Sequence, residues 1–139
     1  MGTMIYDTKT ALILRTDLAG WQVANVAAFL TGGLMAGNPE MAGEPYRDAA
    51  GRVYSALVRE PVFVYGGSLD ELRRTHQRAL SRALRPAIYI DAMFKTTNDA
   101  DNRAAVEAAP ADALDFVGIG VHGPRKVIDK VVNSLKFLS

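Results

Sequence analysis

Apolar and polar positions along the chain divide it into segments that switch between the two-residue period of strands and the 3.6-residue period of helices. The run Thr10-Ala-Leu-Ile-Leu-Arg-Thr-Asp17 is a short apolar stretch with a polar end, the pattern of a buried central strand. It leads into residues 20–36, apolar on nearly every face and broken only by Gln22, Asn25, Thr31, Gly32 and Gly33. A helix of that kind is expected to lie buried between two layers. Residues 37–51 mix Gly, Pro, Asn and Glu and read as a loop. Two strand candidates follow, 52–58 and 61–65, joined by Arg59-Glu60 in a possible hairpin. Ser68 with Glu71 forms a capping box that opens a helix to about Arg85, with Leu69, Leu72, His76, Leu80 and Leu84 on one face. Pro86 stops it, and residues 87–94 read as another strand. An alanine-rich polar stretch, 98–109, predicts a short surface helix or loop. Residues 114–120 form a last strand running into glycines. Pro124 then stands at a first helical position, ahead of a stripe of Val127, Ile128, Val131, Val132 and Leu135.

This alternation predicts a single α/β domain over residues 1–139, with a mixed sheet of four or five strands and helices on both faces. At that length the chain buries roughly two-thirds of the surface its unfolded form exposes, and nothing is left over for a second core. Apolar residues at 49% and charged residues at 22% are those of a globular protein, which argues against disorder, collagen-like and membrane classes. The apolar run in the first helix is shorter than the about 18 residues of a spanning segment and carries amides mid-run. A net charge of +1 gives no whole-molecule field toward nucleic acid or anionic lipid. The absence of cysteine excludes disulfides, thiolate metal sites and a cysteine nucleophile, and two histidines are too few for a histidine-built metal site. No cofactor is expected. Residues 1–9 show no secretory pattern, and Gly2 lacks the later Ser or Thr of a myristoylation site, so the chain reads as cytoplasmic and unanchored.

Three constellations are candidates for chemistry. Gly118-Ile-Gly-Val-His-Gly123 matches a dinucleotide-binding fingerprint literally, but only sixteen residues follow it, too few for the second strand that such a unit needs. The bland alternative is a tight strand-to-helix turn. Arg74, Arg78, Arg82 and Arg85 are spaced to share one helix face. That stripe would neutralise phosphates in a nucleic-acid complex, yet no aromatic residue interleaves it, and a solvated outer face is the favoured reading. The third set lies at strand ends and at the start of the apolar helix: Thr16, Asp17, Gln22, Asn25, Asp91, Thr96, Thr97 and His122. Ligands of open α/β sheets collect beyond the carboxyl ends of strands, so these groups are candidates to converge there, with Asp91 as base or anchor. Asp, Asn and Thr at strand ends also cap helices and close turns, which is the competing account of each. His122, read as a loop residue, is a candidate proton carrier, whereas His76 on an apolar face reads as a core histidine. Trp21 either lines a pocket or packs in the core or an oligomer contact.

Several of these segments, taken in order, resemble the type 2 peptidyl-tRNA hydrolases. The opening Leu12-Ile-Leu-Arg-Thr-Asp-Leu18 with Gly20 carries the likeness first, followed by Ser68-Leu-Asp-Glu-Leu72, Pro86 and Ile88-Tyr-Ile-Asp-Ala92. Phe116-Val-Gly-Ile-Gly120, Ile128-Asp-Lys-Val131 and Ser134-Leu-Lys-Phe-Leu138 complete it. The chain is similar as well to an uncharacterised bacterial relative, the domain-of-unknown-function family numbered 2000. The resemblance implies a type 2 peptidyl-tRNA hydrolase-like sheet and, together with the apolar helix, a homodimer. It also implies an active site that this sequence has replaced. Gln22 stands for a lysine, Val26 for a glutamine and Phe29 for a histidine; Asp17 and Asp91 match, Met93 replaces a glycine, and Thr96 corresponds loosely to a threonine. A lysine supplies a point charge for phosphate or an oxyanion, and Gln22 offers only hydrogen bonds.

These observations leave three classes of function. One is a binding module or enzyme for a small molecule, using Asp17, Trp21, Gln22, Asn25, Asp91, Thr96 and His122. The second is a hydrolase of peptidyl-tRNA or an acyl-nucleotide in which Asp91 activates water. The third is a catalytically silent interaction protein whose polar side chains serve as backbone caps.

Overall fold

The computed structural model describes residues 5–139. Residues 1–4, part of the segment from which a secretory leader and myristoylation are argued absent, lie outside the described residues. Four helices and seven strands form a single α/β domain. The strands are β1 (Thr8–Arg15), β2 (Tyr46–Arg47), β3 (Val53–Tyr54), β4 (Val62–Gly67), β5 (Ala87–Ile90), β6 (Phe116–Pro124) and β7 (Lys136–Phe137). The helices are α1 (Gly20–Gly37), α2 (Leu69–Ser81), α3 (Asp99–Glu107) and α4 (Arg125–Val131). Five strands make the main sheet in the order β5-β6-β1-β4-β7. Its pairing is mixed: β1 runs parallel to β4 and antiparallel to β6, while β5 and β7 add antiparallel edges.

The apolar run of β1 places that strand at the centre, because only a strand covered on both faces can bury consecutive residues from Ala11 to Leu14. Ala11 and Ile13 point into one core layer with Ile119 of β6 and with Leu72, Ala79, Ile128 and Val131, the residues that α2 and α4 bring to that face. Leu12 and Leu14 point the other way, into a layer with Val26, Leu30 and Leu34 of α1. Helices therefore cover both faces of the sheet. Among the described residues no helix is long and apolar enough to cross a membrane.

The contact of α1 with β6 is unusually close, and glycine makes it so. A Cβ built on Gly118 would lie 2.5 Å from Val26 Cγ1 and 3.0 Å from Leu14 Cδ2 and Leu30 Cδ1. One on Gly120 would lie 3.0 Å from Leu34 Cδ1 and 3.2 Å from Leu12 Cδ2. The first two glycines of the apparent nucleotide fingerprint are thus the floor on which the Val26-Leu30-Leu34 ridge rests, and all three lie inside a continuous strand instead of the expected strand-to-helix turn. This corrects the placement of His122, which lies in β6 opposite Thr10 and not in a loop. It also moves Pro124 to the residue before α4.

Other boundaries shift for identifiable reasons. Glu60 does not turn a hairpin. The segment after it pairs parallel to β1, and its buried carboxylate accepts hydrogen bonds from Thr8 Oγ1 at 2.7 Å and Thr10 Oγ1 at 3.2 Å. Only Val53 and Tyr54 of the expected strand 52–58 are strand, paired with Tyr46–Arg47 of the expected loop in a separate two-stranded arm. Asp48 organises that arm's turn by accepting from the amides of Ala50 and Arg52 and from the Tyr54 hydroxyl. The expected capping box at Ser68 and Glu71 is formed, but α2 stops at Ser81, before Pro86. Ala83 takes a left-handed conformation (φ 59°), and the amide of Leu84 turns back to the Ala79 carbonyl. Leu80 is 52% exposed, so the expected stripe through it is corrected to Leu72, Thr75, His76 and Ala79. Thr75 enters the core because its hydroxyl donates to the Glu71 carbonyl at 2.7 Å. His76 packs against Phe116, and burial pushes its imidazole below the ordinary histidine value. Finally, α1 is not enclosed on all sides, since Trp21, Ala24, Ala28, Phe29, Gly32 and Ala36 face outward.

Lys9 is the one lysine of β1, and it points into the α2 and α4 side. Its ammonium donates to Tyr65 Oη at 2.9 Å and Asp129 Oδ1 at 2.8 Å and lies 4.7 Å from the centre of the Phe63 ring. Burial pulls the lysine down, but the hydrogen bonds and charges of Asp129 and Tyr65 outweigh it and hold the group above its ordinary value.

A Gly118→Ala substitution tests the close seat of α1. The added methyl overlaps Val26, so the variant is expected to lose about 1–3 kcal/mol of stability as overpacked cores do. Urea unfolding measures it, and an unchanged midpoint would contradict the packing described.

Candidate functional site

The groups proposed from sequence separate into three places. At the carboxyl end of β5, the start of α1 forms one wall of an open cavity of about 440 Å³. Trp21, Asn25 and Phe29 stand four residues apart on one helical ridge, which brings all three over β5 and the 3-10 turn Asp91–Lys95. Aromatic rings meet there edge to face in the Phe29–Tyr89 and Trp21–Phe94 pairs and tilted in the Tyr89–Phe94 pair. Phe29 and Tyr89 have centroids 5.6 Å apart, Trp21 and Phe94 5.7 Å, and Tyr89 and Phe94 5.1 Å. The far wall comes from Thr96, Thr97, Asn98 and Asn102.

Polar chemistry in this cavity is neutral. Asn25 Nδ2 donates to Tyr89 Oη at 3.2 Å, so the amide oxygen and the phenol proton are left without a protein partner among the described residues. Burial pushes the Tyr89 phenol up, against the opposing hydrogen bond from Asn25, and so keeps it protonated as a donor. Thr96 Oγ1 lies against the Met93 carbonyl and Asn102 Oδ1. Asn98 caps α3 through the Asp101 amide at 2.8 Å. Asp99 is the single charged residue of the lining, and it is paired with Arg103.

The second place is the carboxyl end of β1. Arg15 holds Asp17 and Asp115, each at 2.7 Å, and its hydrogen bond keeps the Asp17 carboxyl below the usual carboxylate range. Asp17 borders a shallow depression with Ser68 and Gly67, apart from the aromatic cavity. Asp91 is exposed at the start of its 3-10 turn, its amide donating to the Asp115 carbonyl at 2.9 Å. Neither Asp17 nor Asp91 lines the cavity in front of Trp21. Gln22 is absent from it as well, because its side chain turns back to accept from the Ala19 amide at 2.9 Å and caps α1.

The third place is the opposite end of the sheet. His122 lies there, with its side chain 3% exposed and Nδ1 2.8 Å from Thr10 Oγ1. Trp21, Asn25, Thr96 and Thr97 therefore lie together around the aromatic cavity, and Thr16, Asp17, Gln22, Asp91 and His122 lie apart from it. Among the described residues no group of three or more His, Cys, Asp or Glu side chains is arranged to hold a metal ion.

A family profile described as "Protein of unknown function (DUF2000)" matches residues 8–139. The chain belongs to that family. A solved structure of a protein of unknown function from Agrobacterium tumefaciens is 42% identical and superposes with a TM-score of 0.93, covering 97% of this chain and 100% of that one. No curated protein matches.

For this DUF2000 chain, Tyr89, Phe94, Asn98, Asp99 and Asn102 are cavity residues that sequence reasoning did not single out, and Phe29 entered it only as the replacement of a histidine. The four-residue spacing of Trp21, Asn25 and Phe29 was the available signal, since it aligns an aromatic, an amide and an aromatic along one ridge. The arginine set is also resolved. Arg74 approaches Glu71 at 3.9 Å, Arg78 donates to the Asn133 carbonyl, Arg82 donates to the Arg78 carbonyl, and Arg85 lies beyond the end of α2. Arg74, Arg78 and Arg82 follow one another at four-residue spacing along α2 and its C-cap, and Arg85 leaves that line.

Proposed function

We propose that this DUF2000 protein binds a small, planar, uncharged molecule in the cavity between α1 and the 3-10 turn after β5. The observation that carries this reading is the lining itself. Four aromatic rings, Trp21, Phe29, Tyr89 and Phe94, face amide and hydroxyl groups, and no lysine or arginine is among the lining residues. Aromatic pairing contributes about 0.5–1.5 kcal/mol per ring pair beyond burial. Asn25 and Tyr89 supply an acceptor and a donor whose directions the fold fixes. A phosphate or carboxylate ligand would enter this space without a countercharge.

The resemblance to type 2 peptidyl-tRNA hydrolases remains part of this reading for the fold. For activity, each replaced position of α1 has a structural task instead. Gln22 caps the helix, Val26 fills the space above Gly118, and Phe29 packs on Tyr89. Asp91 as a water-activating base is the second reading, supported by its exposure at the strand end beside the Arg15 cluster. We infer in addition a homodimer through the outer face of α1. That helix carries no charged residue, and Ala24, Ala28, Gly32 and Ala36 are exposed along it.

Trp21 is the chain's single tryptophan, so its fluorescence reports on the cavity directly. Titration with uncharged planar heterocycles, beginning with nicotinamide and caffeine, is expected to give saturable quenching. Asn25→Ala should weaken it about tenfold, the loss of one oriented hydrogen bond, and Asp91→Ala should leave it unchanged. Absence of saturable quenching, together with peptidyl-tRNA cleavage that Asp91→Ala abolishes, would replace this reading with the hydrolase. Light scattering tests the dimer: twice the chain mass of 15.0 kDa supports it, and 15.0 kDa discards it.

A further inference from the structure

His122 belongs to a buried relay that the aromatic cavity does not use. Thr10 Oγ1 lies 2.8 Å from His122 Nδ1 and 3.2 Å from Glu60 Oε1, while Thr8 Oγ1 donates to Glu60 Oε2 at 2.7 Å. A threonine hydroxyl has one proton, and an ionised carboxylate only accepts. The arrangement that satisfies all three groups has Thr10 donating to Glu60 and accepting from Nδ1–H. That assigns the Nδ1 proton to the bond with Thr10 and leaves Nε2 outside the relay. The side chains of His122 and Glu60 are 3% and 1% exposed, so the ring is held in place.

His122 forms part of the wall of a cavity of about 450 Å³ at the far end of α1, together with Arg85, Asn38, Gly33, Gly37 and Ala87. Arg85 has no carboxylate within ion-pair distance among the described residues. A Cβ on Gly37 would meet nothing within 4 Å and one on Gly33 only Ala87 Cβ at 3.7 Å. Glycine at these two positions is therefore not demanded by helix packing, and it keeps the cavity open. The nearest carboxylate to Nε2 is that of Glu40, 60% exposed and 3.9 Å away, too far for a hydrogen bond. Arg59 approaches Glu60 Oε2 at 3.7 Å and completes the charged groups around the relay.

We propose that this cavity is a second ligand site, which takes a small carboxylic acid anion between Arg85 and His122 Nε2 with uptake of one proton from solvent. The guanidinium fork matches a carboxylate in two parallel hydrogen bonds. Nε2 carries that proton and donates to the same anion, while the Glu60 carboxyl faces the other side of the ring, with Oε1 3.5 Å from Nδ1 and Thr10 bridging the two. No covalent bond changes; one proton moves from water to Nε2. Glu40 competes weakly for the same position.

The chain has two histidines, so imidazole NMR resolves His122 from His76. Benzoate is expected to shift the His122 signals saturably and leave His76 in place, whereas uncharged benzamide should not move His122. Because a proton is taken up, benzoate affinity should fall as the pH rises. Arg85→Gln, an exposed site, should weaken benzoate about tenfold, and Glu40→Gln should strengthen it. Equal response to benzoate and benzamide, benzoate affinity independent of pH, or wild-type affinity in Arg85→Gln would each overturn the proposal.

Discussion

The seat of α1 on Gly118 and Gly120 is the contact from which the rest of the architecture follows. A helix and a sheet ordinarily stay about 10 Å apart because side chains from both fill the gap. Here β6 offers no side chain at two alternate positions, and Val26, Leu30 and Leu34 descend into the space. Close approach fixes the rotation of α1 about its axis. That rotation carries the neighbouring ridge, Trp21, Asn25, Phe29, Gly33 and Gly37, over β5. Two cavities lie at the ends of this ridge. Bulky aromatic residues build the first against Tyr89 and Phe94, and glycines open the second beside Ala87 and His122.

The two ends of the sheet differ in electrostatics as well as in shape. At the carboxyl end of β1, Arg15 gathers Asp17 and Asp115 into an exposed cluster, which spends the charged groups on one another. The adjoining aromatic cavity is left with amides, hydroxyls and a protonated phenol. At the amino end, Glu60 and His122 are buried and linked through Thr10 behind the cavity wall. The proposed neutral planar ligand answers to the first environment and the proposed anion to the second. Fold alone does not distinguish the two, because function resides in the side chains placed on it.

Much of the framework was legible from the chain. The four consecutive apolar residues of β1 announced a strand covered on both faces, and Ser68 with Glu71 announced the start of α2 through paired side-chain and backbone bonds. Local signals of that kind carry their own mechanism. Features decided by distant partners were not legible. Glu60 looks like a turn residue until the parallel pairing of β4 with β1 brings Thr8 and Thr10 to it. Gly118 and Gly120 look like a phosphate loop until α1 is seen to occupy the space above them. Trp21 and Asn25 were found from residue type, whereas Tyr89 joined them only through the register of β5 against β6. Asp17 and Gln22 illustrate the converse, since both are polar groups at the correct end of the sheet that local hydrogen bonds had already claimed.

Native-state hydrogen exchange across α1 and β6 tests the central claim most directly. If the helix is keyed into the glycine floor, the amides of Leu30 and Leu34 and those of Gly118 and Gly120 should open only together, at the free energy of global unfolding. Exchange of the α1 amides through a lower-energy opening, with β6 still protected, would show that the helix is not locked to the sheet and would contradict the account.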